Sequence, residues 1–330
     1  MENTCKEVYF IMKIIDFTNC PLSDRNLEYA GRAGEKRGII YNNSHWFLKF
    51  PKNTIGMNRV TGLSYVTSPL SEYIGSQIYK ILGYKVHETI LGVCFDGKRE
   101  KIVCACKDFI NDDKNELLIP YTALRNDTNP LIMNRNDVAY CSPSNINEII
   151  FQLNHNDILS KIDKAKERFF EVLIIDMLIN NNDRNEDNWG VIKFKNTNSY
   201  KLAPIYDCGN SFYGKSSGEK IKDLLSDESK LRSSALNGIT AYEDDLEKRI
   251  SNLQILNIKN NDLNKAIIKV YELINNKLND IIKFINEIPN DYNNLLIMSS
   301  MRKEYYIKTI ELRVDEILKS RYLKIINKSK

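Results

Sequence analysis

Between positions 180 and 190 the chain reads Asn180-Asn181-Asn182-Asp183-Arg184-Asn185-Glu186-Asp187-Asn188-Trp189-Gly190. A carboxylate and an amide oxygen on one polar loop can divide a single task. Asp183 can orient an attacking hydroxyl and accept its proton, and the side-chain oxygen of Asn188 can ligate Mg2+ beside it. A second carboxylate, Asp207, follows in Ala203-Pro204-Ile205-Tyr206-Asp207-Cys208-Gly209. Two short apolar runs between Trp189 and Ala203 read as a hairpin that would return Asp207 to the first loop. A base and two hard oxygen donors are the parts that phosphoryl transfer from a metal-bound nucleotide needs. Asn and Asp are also ordinary turn formers, and the first pair alone could be no more than that. Asp207, placed after a hairpin, makes the set a candidate site, with Asn188 and Asp207 as its metal ligands.

Such a site also needs a cation on the nucleotide phosphates and an acid to hold that cation. In protein kinases these are a strand Lys and a helix Glu. Lys49, in Trp46-Phe47-Leu48-Lys49-Phe50-Pro51, lies opposite the apolar alternation of its strand. Glu72 is its candidate partner, on a helical face shared with Gly75, Ser76 and Tyr79, where small residues allow close approach. Glu88 is a competing acid. Upstream, Tyr29-Ala30-Gly31-Arg32-Ala33-Gly34-Glu35-Lys36-Arg37-Gly38 could cradle phosphate through amides freed at Gly31 and Gly34, with Lys36 adding charge. It contains no Gly-Lys-Ser/Thr and is not a Walker A loop; an ordinary mobile loop is the competing reading.

The surrounding patterns supply the scaffold. Residues 8–17 are rich in strand formers. Residues 38–41 and 45–50 flank the turn pair Asn42-Asn43 and predict a hairpin. Ser68 and Pro69 open a helix with Ile74, Ile78, Ile81 and Leu82 as its apolar stripe, and Gly83 closes it. Two strands follow, over 86–94 and 101–109, with a turn at Asp96-Gly97. Residues 111–147, rich in Asn, Asp and Pro, read as a connection with short helical pieces. Residues 169–179 predict a buried helix, and most of the chain from 221 onward is helical by periodicity. The expected class is α+β: a β-rich lobe over 1–110 with one main helix, and a mostly helical lobe over 111–330.

Size and composition fit this and exclude other classes. The 330 residues suffice for two lobes, with 42% hydrophobic and 27% charged residues, as in globular proteins. A net charge of +4 gives no field for a dedicated nucleic-acid binder. The basic cluster Lys319, Arg321, Lys324, Lys328 and Lys330 reads as a solvated final helix. Among seven cysteines, Cys104 and Cys106 have strand spacing, without the two-residue gap of a zinc knuckle. Reduced thiols in a reducing compartment are expected, with no metal cluster. His45, His87 and His155 are isolated in sequence and read as core or surface residues. No apolar run reaches the roughly 20 residues of a membrane span, and the first residues do not form a classical signal peptide. A cytoplasmic location in a bacterium is expected, and release by a non-classical route is compatible with it.

The chain resembles the HipA-like serine/threonine kinase family, and within it the compact CtkA-type members. The resemblance rests on residues 31–38, Phe47-Leu48-Lys49-Phe50-Pro51, Thr67-Ser68-Pro69-Leu70-Ser71-Glu72-Tyr73-Ile74-Gly75, Val86-His87-Glu88-Thr89, Lys107-Asp108-Phe109, Asn182-Asp183-Arg184-Asn185 through Gly190, and Ala203-Pro204-Ile205-Tyr206-Asp207. It implies a bilobal kinase fold, ATP and Mg2+ as cofactors, a protein substrate, autophosphorylation, and a hinge near adenine at Lys107, Asp108 and Phe109. Ser211, Ser216 and Ser217 lie where an activation segment would carry the modification. Asn185 stands where many relatives have His, and Arg184 follows the catalytic Asp where eukaryotic kinases place Arg before it. The chain has no room for the extra N-terminal subdomain of full-length HipA toxins, and no Ser or Thr occurs in 29–38. A small-molecule kinase of the same fold and a non-catalytic nucleotide-binding effector are the alternatives.

Overall fold

The computed structural model describes residues 12–27, 36–51, 68–111, 114–126, 142–214 and 216–328. The phosphate-loop candidates Gly31 and Gly34 lie outside the described residues, as do residues 8–11 of the 8–17 run, in which Ile15–Asp16 forms a short strand, β1.

Strands β2 (Lys36–Tyr41) and β3 (Ser44–Lys49) form the expected hairpin. Its turn residues Asn42 and Asn43 have φ of 48° and 53°, the left-handed pair that a two-residue hairpin requires and that Asn tolerates. Helix α1 runs over Ser68–Ile81 and ends at Gly83, whose φ is 81°. Strands β4 (Thr89–Phe95) and β5 (Glu100–Lys107) follow, with Asp96 Oδ1 accepting the amides of Lys98 and Arg99 at the turn. The five strands make one sheet in the order β1-β4-β5-β3-β2. One face buries Phe17, Ile39, Trp46, Leu48, Phe50, Val103 and Ala105. Lys49 alternates to the other face together with its cross-strand partner Cys104, and α1 packs against that sheet.

After the sheet comes a strand that composition did not reveal. β6 (Glu116–Pro120) pairs with β7 (Gly190–Phe194), which pairs with β8 (Ser199–Leu202). The predicted connection over 111–147 thus supplies the third strand of the sheet beneath the 183–188 loop. Its partner lies more than sixty residues away, and local pattern cannot report such pairing. Helix α2 (Tyr121–Asn126) packs on this small sheet, and α3 (Ile146–His155) and α4 (Ala165–Leu178), which pack on one another, follow. Asn145 caps α3 by accepting the Glu148 amide.

The remainder is mostly helical, as its periodicity predicts: α5 (Gly218–Leu225), α6 (Glu228–Leu236), α7 (Asn252–Leu256), α8 (Asn261–Glu287) and α9 (Ser300–Leu312). A π-helical turn at Arg313–Leu318 leads into α10 (Lys319–Lys328), which carries Lys319, Arg321, Lys324 and Lys328 of the basic cluster; Lys330 lies outside the described residues. Two small hairpins interrupt the helices. One is β9 (Ile239–Glu243) with β10 (Arg249–Ser251); the other is β11 (Asp291–Tyr292) with β12 (Leu295–Leu296). One hydrophobic cluster runs from Ile74 and Ile78 of α1 through Phe170 and Ile174 of α4 to Ile267 and Ile274 of α8. The molecule is therefore of mixed class, a sheet-rich first part joined through α1 to a helical second part. Among the described residues no helix is long and apolar enough to cross a membrane.

Candidate active site

The strand lysine and the helix glutamate meet. Lys49 Nζ lies 2.6 Å from Glu72 Oε2 and 2.7 Å from Asp207 Oδ1. Glu72 has no exposed surface. Burial alone would raise its pKa, but Lys49 and His87 outweigh that and hold its carboxyl well below the ordinary range. Burial likewise opposes the charge of Lys49, and Asp207 and Glu72 together push its pKa well above the usual lysine value. Glu72 Oε1 accepts the amide of Cys208 at 3.0 Å, so the same carboxylate that anchors Lys49 also anchors the residue after Asp207. The competing acid, Glu88, pairs instead with Lys107 Nζ at 3.3 Å.

Asp207 occupies the left-handed region, with φ of 59°. An Asp can sit there at modest cost, and residues held there by their surroundings cluster at functional sites. The close approach of α1 to this segment depends on Gly75. A Cβ there would lie 2.5 Å from Ser211 Oγ and 2.7 Å from Cys208 Cβ. The small face of α1 thus meets the segment after Asp207, in addition to lying along the sheet. Ser211 is fully buried, donating to the Cys208 carbonyl, and Ser216 is 5% exposed; Ser217 caps α5 through the Lys220 amide.

The loop of Asp183 is built around a buried guanidinium. Arg184 is 2% exposed and donates to Asp176 through Nε (2.8 Å) and Nη2 (3.2 Å). Its Nη1 donates to the carbonyls of Asn188 (3.1 Å) and Tyr206. One side chain therefore fastens the 183–188 loop to the residue preceding Asp207. Tyr206 reinforces the link by donating its hydroxyl to the Asp187 carbonyl at 2.9 Å, and Asn210 donates to Asn182. Asp176 also accepts from Tyr79 of α1 and from Asn181. Asp183 itself is exposed. Asn188 donates its amide nitrogen to the Asp183 carbonyl at 2.7 Å, which leaves its side-chain oxygen as the end that can face a cation. The bond of Asp207 to Lys49 uses Oδ1, and its side chain is one-third exposed. Two hard oxygen donors that leave most of a coordination shell to water and phosphate suit Mg2+.

Lys36 reaches the same field. It pairs across the hairpin with Lys49, and burial first, then Lys49, lower its pKa. The predicted hinge residues behave unequally. Lys107 donates its amide to the Glu88 carbonyl, and Asp108 donates its amide to the His45 carbonyl and pairs with Arg25 at 3.0 Å. These interactions fasten the end of β5 to residues of the sheet-rich part. Phe109 packs on Tyr206 with ring centroids 5.6 Å apart, bringing it beside Asp207.

Three contributors escaped the sequence reading. His87, isolated in sequence, is 3% exposed and lies 3.0 Å from Glu72 Oε1. Asp176 and Arg184 form the buried pair beneath the 183–188 loop. A carboxylate inside the apolar helical run Leu173-Ile174-Ile175-Asp176-Met177 was the available signal, because an ionised group in such a run needs a partner.

No protein-family model matches the chain. The curated serine/threonine-protein kinase CtkA of Helicobacter pylori is 30% identical over 313 residues, spanning 93% of this chain and 90% of that protein. The crystal structure of a Helicobacter pylori proinflammatory kinase CtkA superposes with a TM-score of 0.75 at 27% identity, over 96% of this chain and 100% of that one. HipA from the Shewanella oneidensis complex of HipA, HipB and operator DNA superposes with a TM-score of 0.52 at 16% identity, over 93% of this chain and 67% of that one, a likeness of fold. A relative matched along nine-tenths of both chains places the molecule: it belongs to the family of the serine/threonine-protein kinase CtkA, enzymes that transfer a phosphoryl group to proteins.

Proposed function

We propose that the chain transfers the γ-phosphoryl group of ATP to a Ser or Thr hydroxyl of a protein, including its own, in a reaction that depends on Mg2+. The observation that carries this reading is the placement of Lys49 between Glu72 and Asp207, at 2.6 and 2.7 Å, across the two parts of the molecule. In this reading Lys49, aligned by Glu72, neutralises the α/β-phosphates, and Lys36 and the 31–38 loop add phosphate contacts. Phe109 borders the adenine side, with Lys107 and Asp108 shaping the hinge behind it. The two lobes divide near residue 110. Asn188 and Asp207 hold Mg2+, which supplies neutralisation of charge on the β/γ-phosphates. Asp183 accepts a hydrogen bond from the acceptor hydroxyl, aligns its oxygen with the phosphorus and takes its proton as the bond forms. Positioning and electrostatics are the protein's contribution. Of the three serines after Asp207, Ser217 is the one that is not buried and is the site of self-modification in this reading. The five described cysteines are free thiols, which suits a reducing compartment such as bacterial cytoplasm.

Labelling with γ-radiolabelled ATP tests this. Wild type with Mg2+ labels itself and a protein acceptor on Ser or Thr. Chelation of the metal abolishes the label, and Asp183→Asn lowers the rate by about 10²–10⁴-fold. Unchanged labelling in both Asp183→Asn and Asp207→Ala would sink the assignment.

A further inference from the structure

The thiols of β5 play no part in phosphoryl transfer as described, yet they face its machinery. Lys49 is the cross-strand partner of Cys104, and Phe47 of Cys106, so both thiols share the face that carries Lys49. Their sulfurs are 3.9 Å apart and fully buried. A Cys106 sulfur, a His87 ring nitrogen and a Glu72 carboxylate oxygen lie within 4.8 Å of one another, all on buried residues. His87 Nε2 is already 3.0 Å from Glu72 Oε1.

Sulfur, imidazole nitrogen and carboxylate oxygen together form the donor set of zinc and do not suit Mg2+. Bonds of about 2.0–2.3 Å around a tetrahedral ion separate neighbouring donors by roughly 3.3–3.8 Å, so contraction of the cluster by about an ångström would close it. Cys104 Sγ lies 3.9 Å from Cys106 Sγ on the same strand but outside that three-donor cluster, and it becomes a fourth donor only by moving toward it. The nearest approach is the open cavity that His87 lines with Lys85, Val86, Glu88, Lys107 and Asp108, and the 1% exposed His87 side chain must shift to admit the ion. Strand spacing rules out a knuckle formed by the two cysteines alone. The helix and the segment before β4 bring the other donors to them.

We propose that Cys106, His87 and Glu72, with Cys104 as fourth ligand, form an inhibitory site for Zn2+. On binding, the Cys106 thiol gives its proton to solvent, as does Cys104 when it joins. His87, whose Nε2 faces Glu72 Oε1 and Ser76 Oγ without the ion, moves its ring proton to Nδ1 through solvent and presents its Nε2 lone pair. The ion claims the Glu72 carboxylate and repels the Lys49 ammonium, so zinc and the Lys49–Glu72 pair exclude one another. Resting on the nucleotide role proposed for that pair, this makes zinc and ATP–Mg2+ mutually antagonistic, each weakening the other by the same factor.

The full chain is titrated with Zn2+ against a chromophoric chelator, and with Co2+ while visible absorption is recorded. The expected result is one equivalent of tight metal with a thiolate-to-cobalt charge-transfer band. Cys106→Ser, and Cys106→Ala as a second variant of preserved fold by circular dichroism, lose the band. Both keep Mg2+-dependent labelling and need about 100-fold or more zinc for inhibition, since even outer partners of a metal site are worth 10–100-fold. Absence of the cobalt band in wild type overturns the proposal. So does equal zinc inhibition of wild type and Cys106→Ser, which would put the ion on the oxygens of Asn188 and Asp207. The cobalt band reads the site whether or not the chain phosphorylates anything, so its failure is separate from failure of the kinase reading.

Discussion

A guanidinium at 2% exposure has given up its water, and Arg184 replaces that water with Asp176 and two carbonyls on facing loops. Removing it would leave the Asp176 carboxylate buried with only Tyr79 and Asn181 to serve it. Arg184→Ala should therefore cost about 3–5 kcal/mol, read by denaturant melts. Arg184→Lys, which keeps the charge and loses the fork, should lower activity more than stability. A melt of Arg184→Ala that overlays wild type would refute this role. The Lys49–Glu72 pair permits a pH prediction. Glu72 has a depressed pKa, so its contribution is present above the unfolded value of about 4.3 and fades only as pH falls toward the folded one. Lys49 has a raised pKa, so its contribution is present below about 10.4 and fades only as pH rises through the folded value. The Tm difference between wild type and Glu72→Gln should hence stay constant from about pH 7 to 9. A steady drift across that window would mean that a member of the Lys49–Glu72–His87 cluster titrates there.

Helix α1 is the element on which the site turns. It offers Glu72 to Lys49, Tyr79 to Asp176, and the bare backbone of Gly75 to Cys208 and Ser211. Gly75→Ala would force the helix away from the Asp207 segment, because both neighbours are fully buried and neither can swing aside. Overpacking of this kind costs about 1–3 kcal/mol. The larger effect should fall on chemistry, where a misplacement of about an ångström can lower kcat/KM by about 10²-fold. Kinetics and a thermal melt on the same preparation check this; unchanged kcat/KM would show that α1 does not set the position of Asp207. The element level also shows why β6 was missed and the β2–β3 hairpin was not. The hairpin declares itself in the Asn42-Asn43 pair between two runs, whereas β6 is a strand only because β7 lies beside it.

For the whole molecule, the main hydrophobic cluster is continuous from α1 through α4 to α8, and Tyr73 of α1 packs on Phe284 of α8 at 5.9 Å. The sheet-rich and helical parts should unfold together, giving one calorimetric transition. ATP with Mg2+ should raise that transition; at about a hundredfold excess over Kd the stabilisation is about 2.7 kcal/mol. Asp207→Ala should abolish the part of the shift that requires Mg2+. Two separate transitions, or an undiminished Mg2+-dependent shift in the variant, would contradict this description.

The sequence by itself determined the α+β class and the helix opened by Ser68 and Pro69, and it singled out Lys49, Glu72, Asp183, Asn188 and Asp207 as candidates. Chemical type, spacing and turn residues are local properties, and they are legible without coordinates. Tertiary structure decided what those residues touch. It chose Glu72 over Glu88 for Lys49 and paired Lys107 with Glu88 and Asp108 with Arg25. It also turned an isolated His87 and two strand cysteines into neighbours of the Lys49–Glu72 pair. Burial is the physical reason. Charges removed from water must find partners wherever the fold places them, and those partners come from parts of the chain far apart in sequence.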